Sequence, residues 1–132
     1  MNTCQRFFLL FSVAVVLAVL AGCSGGPSLN EVNGTVTLDG TPKGGIGIRF
    51  DPITLGTAPG FSTTQADGTY VVFYPGAKQG IPAGEYKVVF FPQETDDGLP
   101  DWKIAPKYGE ESEVRATVNS GRNTLNFDIT SN

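Results

Sequence analysis

From Glu31 to Ile129 apolar side chains recur at every second position in short runs, and the runs are separated by Gly, Pro, Asn or Asp. Such alternation buries one face of a strand and wets the other, so the chain must find its core between sheets. "EVNGTVTL" sets Val32, Val36 and Leu38 on one face, with Thr35 and Thr37 on the other, and Asp39-Gly40-Thr41-Pro42 then reverses the chain. "IGIRF" aligns Ile46, Ile48 and Phe50 and turns Arg49 outward; Asp51-Pro52 ends the run, because Pro has no N–H for a ladder. "FSTTQADGTYVVFY" reads as a hairpin in which Asp67-Gly68 supplies the positive φ angles of a tight primed turn. In "PAGEYKVVFFP" a turn at Pro82-Ala83-Gly84 precedes Tyr86, Val88 and Phe90 on one face and Lys87, Val89 and Phe91 on the other. "EVRATV" and "NTLNFDI", joined by Asn119-Ser120-Gly121-Arg122, are expected to form a closing hairpin. Val114, Ala116 and Val118 would then face Leu125, Phe127 and Ile129 across the core. Only Asp101–Tyr108 leaves room for a short helical turn. About seven short strands at regular spacing, with no sustained helical period, predict an all-β fold: a single seven-strand Greek-key β-sandwich.

Ahead of this body lies a different kind of segment. "MNTCQR" carries one cationic side chain, Arg6, and "FFLLFSVAVVLAVL" from Phe7 to Leu20 is almost wholly apolar. That run has signal-peptide length, whereas a spanning helix needs roughly twenty apolar residues. It closes on Leu20-Ala21-Gly22-Cys23 and then Ser-Gly-Gly-Pro, with no basic stop-transfer cluster. Leu20, Ala21, Gly22 and Cys23 resemble the lipobox of bacterial lipoprotein signal peptides. The small residues open the backbone to a peptidase, and the thiol must be free for alkylation. The resemblance implies lipidation at Cys23 through a diacylglycerol thioether, cleavage before Cys23, and acylation of the new amine. Two or more acyl chains make membrane residence long-lived where one does not. In that motif an aspartate after the cysteine marks inner-membrane retention, and Ser24 leaves the outer membrane open.

The expected organisation is therefore residues 1–22 as a cleaved lipoprotein signal peptide and 23–30 as the lipidated cysteine with a flexible tether. Residues 31–130 form the β-sandwich. Ser24–Asn30, "SGGPSLN", has the Gly/Ser content of a mobile linker. The chain has two cysteines; Cys4 leaves with the leader and Cys23 is taken by lipid, so the sandwich must hold without a disulfide. Loss of Arg6 makes the formal charge one unit more negative than −4. An acidic body without a basic cluster offers no footprint for nucleic acid and no polybasic membrane contact.

A wider resemblance follows the order of the turn and strand signals. "VNGTVTLDGTP" from Val32 to Pro42, "IRF" at Ile48–Phe50, "TQADGTY" at Thr64–Tyr70 and "GIPAGEYKV" at Gly80–Val88 come first. "IAPKY" at Ile104–Tyr108 and "VNSGRNTLNFDI" at Val118–Ile129 complete the series. In this order they are similar to the transthyretin-like, carboxypeptidase-regulatory-like domain carried alone by small bacterial lipoproteins. The resemblance implies a prealbumin-like sandwich without catalysis. An immunoglobulin-like or fibronectin-like sandwich is the alternative topology, and the spacing accommodates either.

The side chains for most catalytic chemistry are missing. With no histidine in the chain, a Ser-His-Asp relay, an imidazole base and a His-ligated metal are unavailable, and no free thiol remains as a nucleophile. The transthyretin-scaffold hydrolases of purine breakdown use histidines and a C-terminal Tyr-Arg-Gly-Ser, whereas this chain ends "FDITSN". Intradiol dioxygenases, with a similar sandwich, bind iron through Tyr and His. Glu94, Asp96, Asp97 and Asp101 cluster in one segment, and Glu110, Glu111 and Glu113 in another. They read as a solvated loop and a charged strand edge that blocks edge pairing. The competing reading gives the first cluster a hard cation, but Asp96-Asp97-Gly98 lacks the alternating ligands of a calcium loop. "GGIG" at Gly44–Gly47 precedes a strand and has no following Lys-Ser/Thr, so it reads as a turn and not a phosphate loop.

Trp102 and Tyr108 share a Pro- and Asp-rich stretch, where they either cap one end of the sandwich or stack on a sugar ring. The expectation is thus a non-enzymatic lipoprotein of the cell envelope, without metal or cofactor, held to a membrane through Cys23 and facing the periplasm or exterior. Its sandwich would act in structure or in binding an envelope protein. The alternative is a carbohydrate- or cell-wall-binding module using the Trp102–Tyr108 loop.

Overall fold

The computed structural model describes residues 26–132, so the expected signal peptide, lipobox and Cys23 lie outside the described residues. Eleven strand segments and one 3-10 turn make up the described chain. They are β1 (Glu31–Leu38), β2 (Thr41–Pro42), β3 (Ile46–Pro52), β4 (Gly60–Thr63), β5 (Thr69–Val71) and β6 (Phe73–Tyr74). There follow β7 (Lys78–Gln79), β8 (Gly84–Pro92), the 3-10 turn at Pro106–Tyr108, β9 (Arg115–Val118), β10 (Arg122–Thr124) and β11 (Phe127–Ile129). Two sheets stack as a sandwich, the all-β architecture that the alternation demands. One sheet has the order β7-β6-β4-β3-β8-β9; the other is centred on β1.

β1 is paired along both edges. β10 and β11 run parallel to it on one side, and β5 and β2 pair antiparallel on the other. β10 and β11 keep one register against β1, since Asn33 pairs with Thr124 and Val36 with Phe127; the break between them is confined to Leu125 and Asn126. There the Asn126 side-chain oxygen accepts the Thr35 N–H at 2.9 Å and restores the bond that the ladder lacks.

Between the sheets, Val32, Val36, Tyr70 and Ile129 from the β1 sheet and its flanks meet Ile46, Ile48, Phe50, Tyr86, Val88 and Phe90 from the other. Phe127 stands within ring-contact distance of Phe50, Tyr70 and Phe90, with Phe90 nearest at 5.3 Å between centroids. Each of these aromatic pairs adds to burial by edge-on or tilted packing. Among the described residues every buried polar side-chain atom has a hydrogen-bond partner. Tyr70 donates its hydroxyl to Leu125 O at 2.5 Å, and Tyr86 donates to Pro82 O at 2.6 Å.

Three local expectations are corrected. First, β9 and β10 do not form a hairpin. β9 completes the six-stranded sheet beside β8, and Asn119–Gly121 carries the chain across to the β1 sheet. Asn123 holds this crossover, accepting from the Asn119 N–H and donating to Asn119 O at 2.9 Å. Ala116 and Val118 therefore join the core from the six-stranded sheet and Ile129 from the β1 sheet, with Phe127 packed against it. Val118 lies near the start of β1 and Ile129 beside its end, so the expected facing pairs are not made. Second, Asp67 has no positive φ; only Gly68 does, and the Asp67 carboxylate instead accepts from the Thr69 N–H and hydroxyl. The two consecutive positive φ angles of a primed turn occur at Asp39-Gly40, where Leu38 pairs with Thr41. Third, Asn30 is no part of a loose tether: it is 8% exposed and pairs with Ile81.

The strands flanking Asp67-Gly68 do not pair as the expected hairpin either, because the Thr63–Val72 segment divides between the sheets. β5 pairs with β1, whereas β6 pairs with β4 through Phe61 and Phe73, and the chain changes sheets at the fully buried Val72. Such switching closes a corner of a sandwich.

Candidate functional site

β1 fixes the two ends of the sandwich. Its first residues lie beside Ile81 and the Gly121 loop, and its last residue leads into the Asp39-Gly40 turn. At the second end Gly45 N–H bonds to Thr64 O and Gln93 N–H bonds to Gly45 O, which ties the segment after β8 to the start of β3. Trp102 belongs to this end. A β-carbon added to Gly45, whose φ is +77°, would lie 3.6 Å from the indole ring, so the ring is packed over bare backbone. Lys43 Nζ stands 5.1 Å from the ring centroid, within cation–π range.

The half-buried indole borders a depression of about 260 Å³, shared with Gly44, Gln93, Thr95 and Leu99. Thr95 and Gly98 exchange backbone hydrogen bonds at 3.1 and 2.8 Å and form its rim. An aromatic face, a primary amide, a hydroxyl and the Asp97 carboxylate beside apolar atoms can together contact a polyhydroxylated ring. Lys43 covers one indole face, so a sugar on that face must displace the ammonium.

Tyr108 lies elsewhere, at the end of the 3-10 turn, packed edge-on against Phe90 at 6.3 Å and 89°. Lys107 Nζ is 5.2 Å from its ring. It borders a second, open depression with Lys107, Glu111, Glu113 and Val114. The two aromatics that sequence proximity groups together thus serve separate surfaces, and both pack against the hydrophobic core.

Of the two acidic segments, Asp96, Asp97 and Asp101 are exposed on the loop after β8. Among the described residues no three Asp, Glu, His or Cys side chains converge as metal ligands. Glu110 does something that sequence reading missed. Arg49 Nη1 and Nη2 donate to its two carboxylate oxygens at 2.9 and 2.8 Å, while Arg49 Nε and Nη2 donate to Asp51 at 2.6 and 2.8 Å. Lys87 adds a bond to the Glu110 carbonyl at 2.9 Å. The paired carboxylates hold the guanidinium well above its usual pKa, and Arg49 draws the Glu110 carboxyl below its own. With both forks occupied, Arg49 is a clamp between the six-stranded sheet and the Glu110 loop and has little left to offer an anion. Arg49 and Asp51 at alternate positions of one strand were the available signal; Glu110, sixty-one residues on, gave none.

No family model matches the chain, and no curated protein does. Among solved structures it is similar to a DUF3823 family protein from Parabacteroides merdae, with a TM-score of 0.49 and 16% sequence identity. The alignment covers 79% of this chain and 47% of that one, so this chain spans about half its length.

Proposed function

We propose that this protein is a lipoprotein of the bacterial cell envelope, in which Cys23 carries the acyl chains and the β-sandwich serves as a non-catalytic structural or protein-interaction module. The observation that carries the reading is the short distance between the lipobox and the fold. Leu20-Ala21-Gly22-Cys23 closes the apolar leader, and only Ser24–Leu29 separates the thiol from Asn30, where the backbone is already paired. Seven residue steps reach at most about 25 Å. A domain so close to its anchor works at the membrane surface and not at the end of a long stalk.

The chain without histidine supports a role other than catalysis. So does the engagement of its best-organised charged cluster, Arg49 with Asp51 and Glu110, in holding a loop to a sheet. The order of turn motifs supports assignment of the sandwich to the transthyretin-like, carboxypeptidase-regulatory-like class. Metabolic labelling with palmitate tests the anchor: wild type takes up label and Cys23→Ala does not. Label retained in Cys23→Ala would refute the assignment.

The Trp102 depression favours a second reading, a module that binds envelope glycan at the end remote from the tether. Glycan-array binding abolished by Trp102→Ala, with thermal stability retained, would establish it over the first.

A further inference from the structure

Asn30, where the chain enters the sandwich, and Leu55, the most exposed large apolar residue among the described residues, share one end of the sandwich. Asn30 and Ile81 exchange backbone hydrogen bonds at 2.8 and 3.0 Å. A β-carbon on Gly60 would press on the Ile81 side chain, so Gly60, which closes the β3–β4 loop, lies directly beneath that bridge. At the loop's other root Pro52 pairs with Tyr86, and the Ile53 N–H donates to Glu85 O at 3.0 Å, one residue from the Gly84–Val118 pair. The loop between these roots, "ITLGTAP", has no charged side chain. Leu55 at its tip is 97% exposed and Ile53 is 51% exposed. A β-carbon at the neighbouring Gly56 would meet nothing within 4 Å, so the tip stands clear of the body.

We propose that this loop is a second membrane contact, with Leu55 and Ile53 entering the interface beside the lipidated cysteine. The proposal rests on the lipid anchor at Cys23. Given that anchor, the tether holds the Asn30 end against the bilayer, and the loop at that same end is the part of the body that meets it. Solvent-exposed apolar groups on a neutral loop lower their free energy by entering the headgroup–acyl boundary, which amphipathic segments penetrate by roughly 5–10 Å. Beside Asn30 the charges of Arg122 and Glu31 offset one another at 3.3 Å, and the exposed Glu85 at the loop's root is the carboxylate that must stay in the headgroup layer as the tip enters. Exposed Leu99 borders the Trp102 depression at the opposite end and has no such neighbour. Two contacts, one covalent and one by side-chain insertion, fix the tilt of the sandwich and present the Trp102 end outward.

The test uses the mature lipoprotein reconstituted in phosphatidylcholine vesicles. With Cys4 removed and the Cys23 thiol alkylated, Leu55→Cys or Leu99→Cys supplies the single free thiol for a fluorescent label; both sites are exposed and tolerate it. The Leu55 label is expected to be quenched several-fold more strongly than the Leu99 label by phospholipids carrying a spin label on the acyl chain. It is also expected to be the less accessible of the two to iodide. Equal quenching of both labels in protein that floats with the vesicles would leave the anchor standing and overturn the insertion. A Leu55 label shielded from iodide but untouched by the lipid quencher would give the loop to a second copy or another protein, and overturn it equally. Mature wild type with a reactive Cys23 thiol and no acyl chains by mass would remove the anchor itself, and the insertion with it.

Discussion

A β-carbon on Gly34 would overlap the carbonyl oxygen of Leu125, because β1 and the break between β10 and β11 approach one another as bare backbone. That carbonyl is also the acceptor for the Tyr70 hydroxyl, so one point joins β1, the C-terminal strands and the core. Gly34→Ala is expected to cost roughly 2–3 kcal/mol through overpacking that the backbone cannot relieve. Gly40→Ala, where a β-carbon meets nothing, should lose less and only through its φ of +84°. Urea denaturation of both variants measures the difference, and equal losses would remove the special role of Gly34.

Tyr70→Phe leaves the Leu125 carbonyl without its side-chain donor. A net loss of about 1–2 kcal/mol is expected in urea denaturation at neutral pH.

Burial also pushes the Tyr70 hydroxyl well above its ordinary pKa of 10.0, and Tyr86 is raised for the same first reason. A raised native pKa favours folding fully below pH 10, and that contribution declines as pH rises from 10 toward the native value. Wild type should therefore lose stability above pH 10, and Tyr70→Phe should show a shallower alkaline decline. Parallel declines would place the responsible ionisation elsewhere.

Glu110 has the opposite sign. Its hydrogen bonds to Arg49 lower its pKa from 4.5, so its contribution is present above that value and is lost as pH falls through the native one. Glu110→Gln should flatten the acid limb of a plot of urea midpoint against pH, because at pH 7 it already lacks the contribution that wild type loses in acid, a small one since the carboxylate is exposed. An unchanged acid limb would mean that Arg49 holds Glu110 no better in the folded chain than in the unfolded one.

Phe127 packs with three core rings and Tyr86 is 1% exposed. Phe127→Ala and Tyr86→Ala should each cost about 3–5 kcal/mol in denaturant unfolding. Losses below about 0.5 kcal/mol would put these side chains on the surface.

Much of this architecture was legible because local alternation is a local property. The buried sets Val32-Val36-Leu38, Ile46-Ile48-Phe50 and Tyr86-Val88-Phe90 each follow from period two, and the 3-10 turn falls inside the segment left open for one. Pairing is not local. Arg115–Val118 and Arg122–Thr124 have the spacing of a hairpin, yet Asn123 and Asn30 capture the connecting loop and send the second strand to β1. Asn30 looked like linker for the same reason, since its partners Ile81 and Gly121 are far away in sequence. At the candidate site, Trp102 and Tyr108 are half-buried aromatics packed against the core. Their separation by the 3-10 turn and the loop before it depends on Phe90 and Gly45, which sequence distance conceals.

The chain enters at the Asn30 end of β1 and leaves at the opposite end, where Ser131 donates its N–H and hydroxyl to Asp39 at 3.0 and 2.6 Å. β1 and β11 are adjacent and parallel, so a pull between the entry point and the exit point slides one along the other. All the bonds of that ladder then carry load together, whereas a hairpin pulled open at its mouth surrenders them singly. Tension applied between Asn30 and Ser131 would therefore meet the β1–β11 ladder in shear, the direction in which it resists extension most.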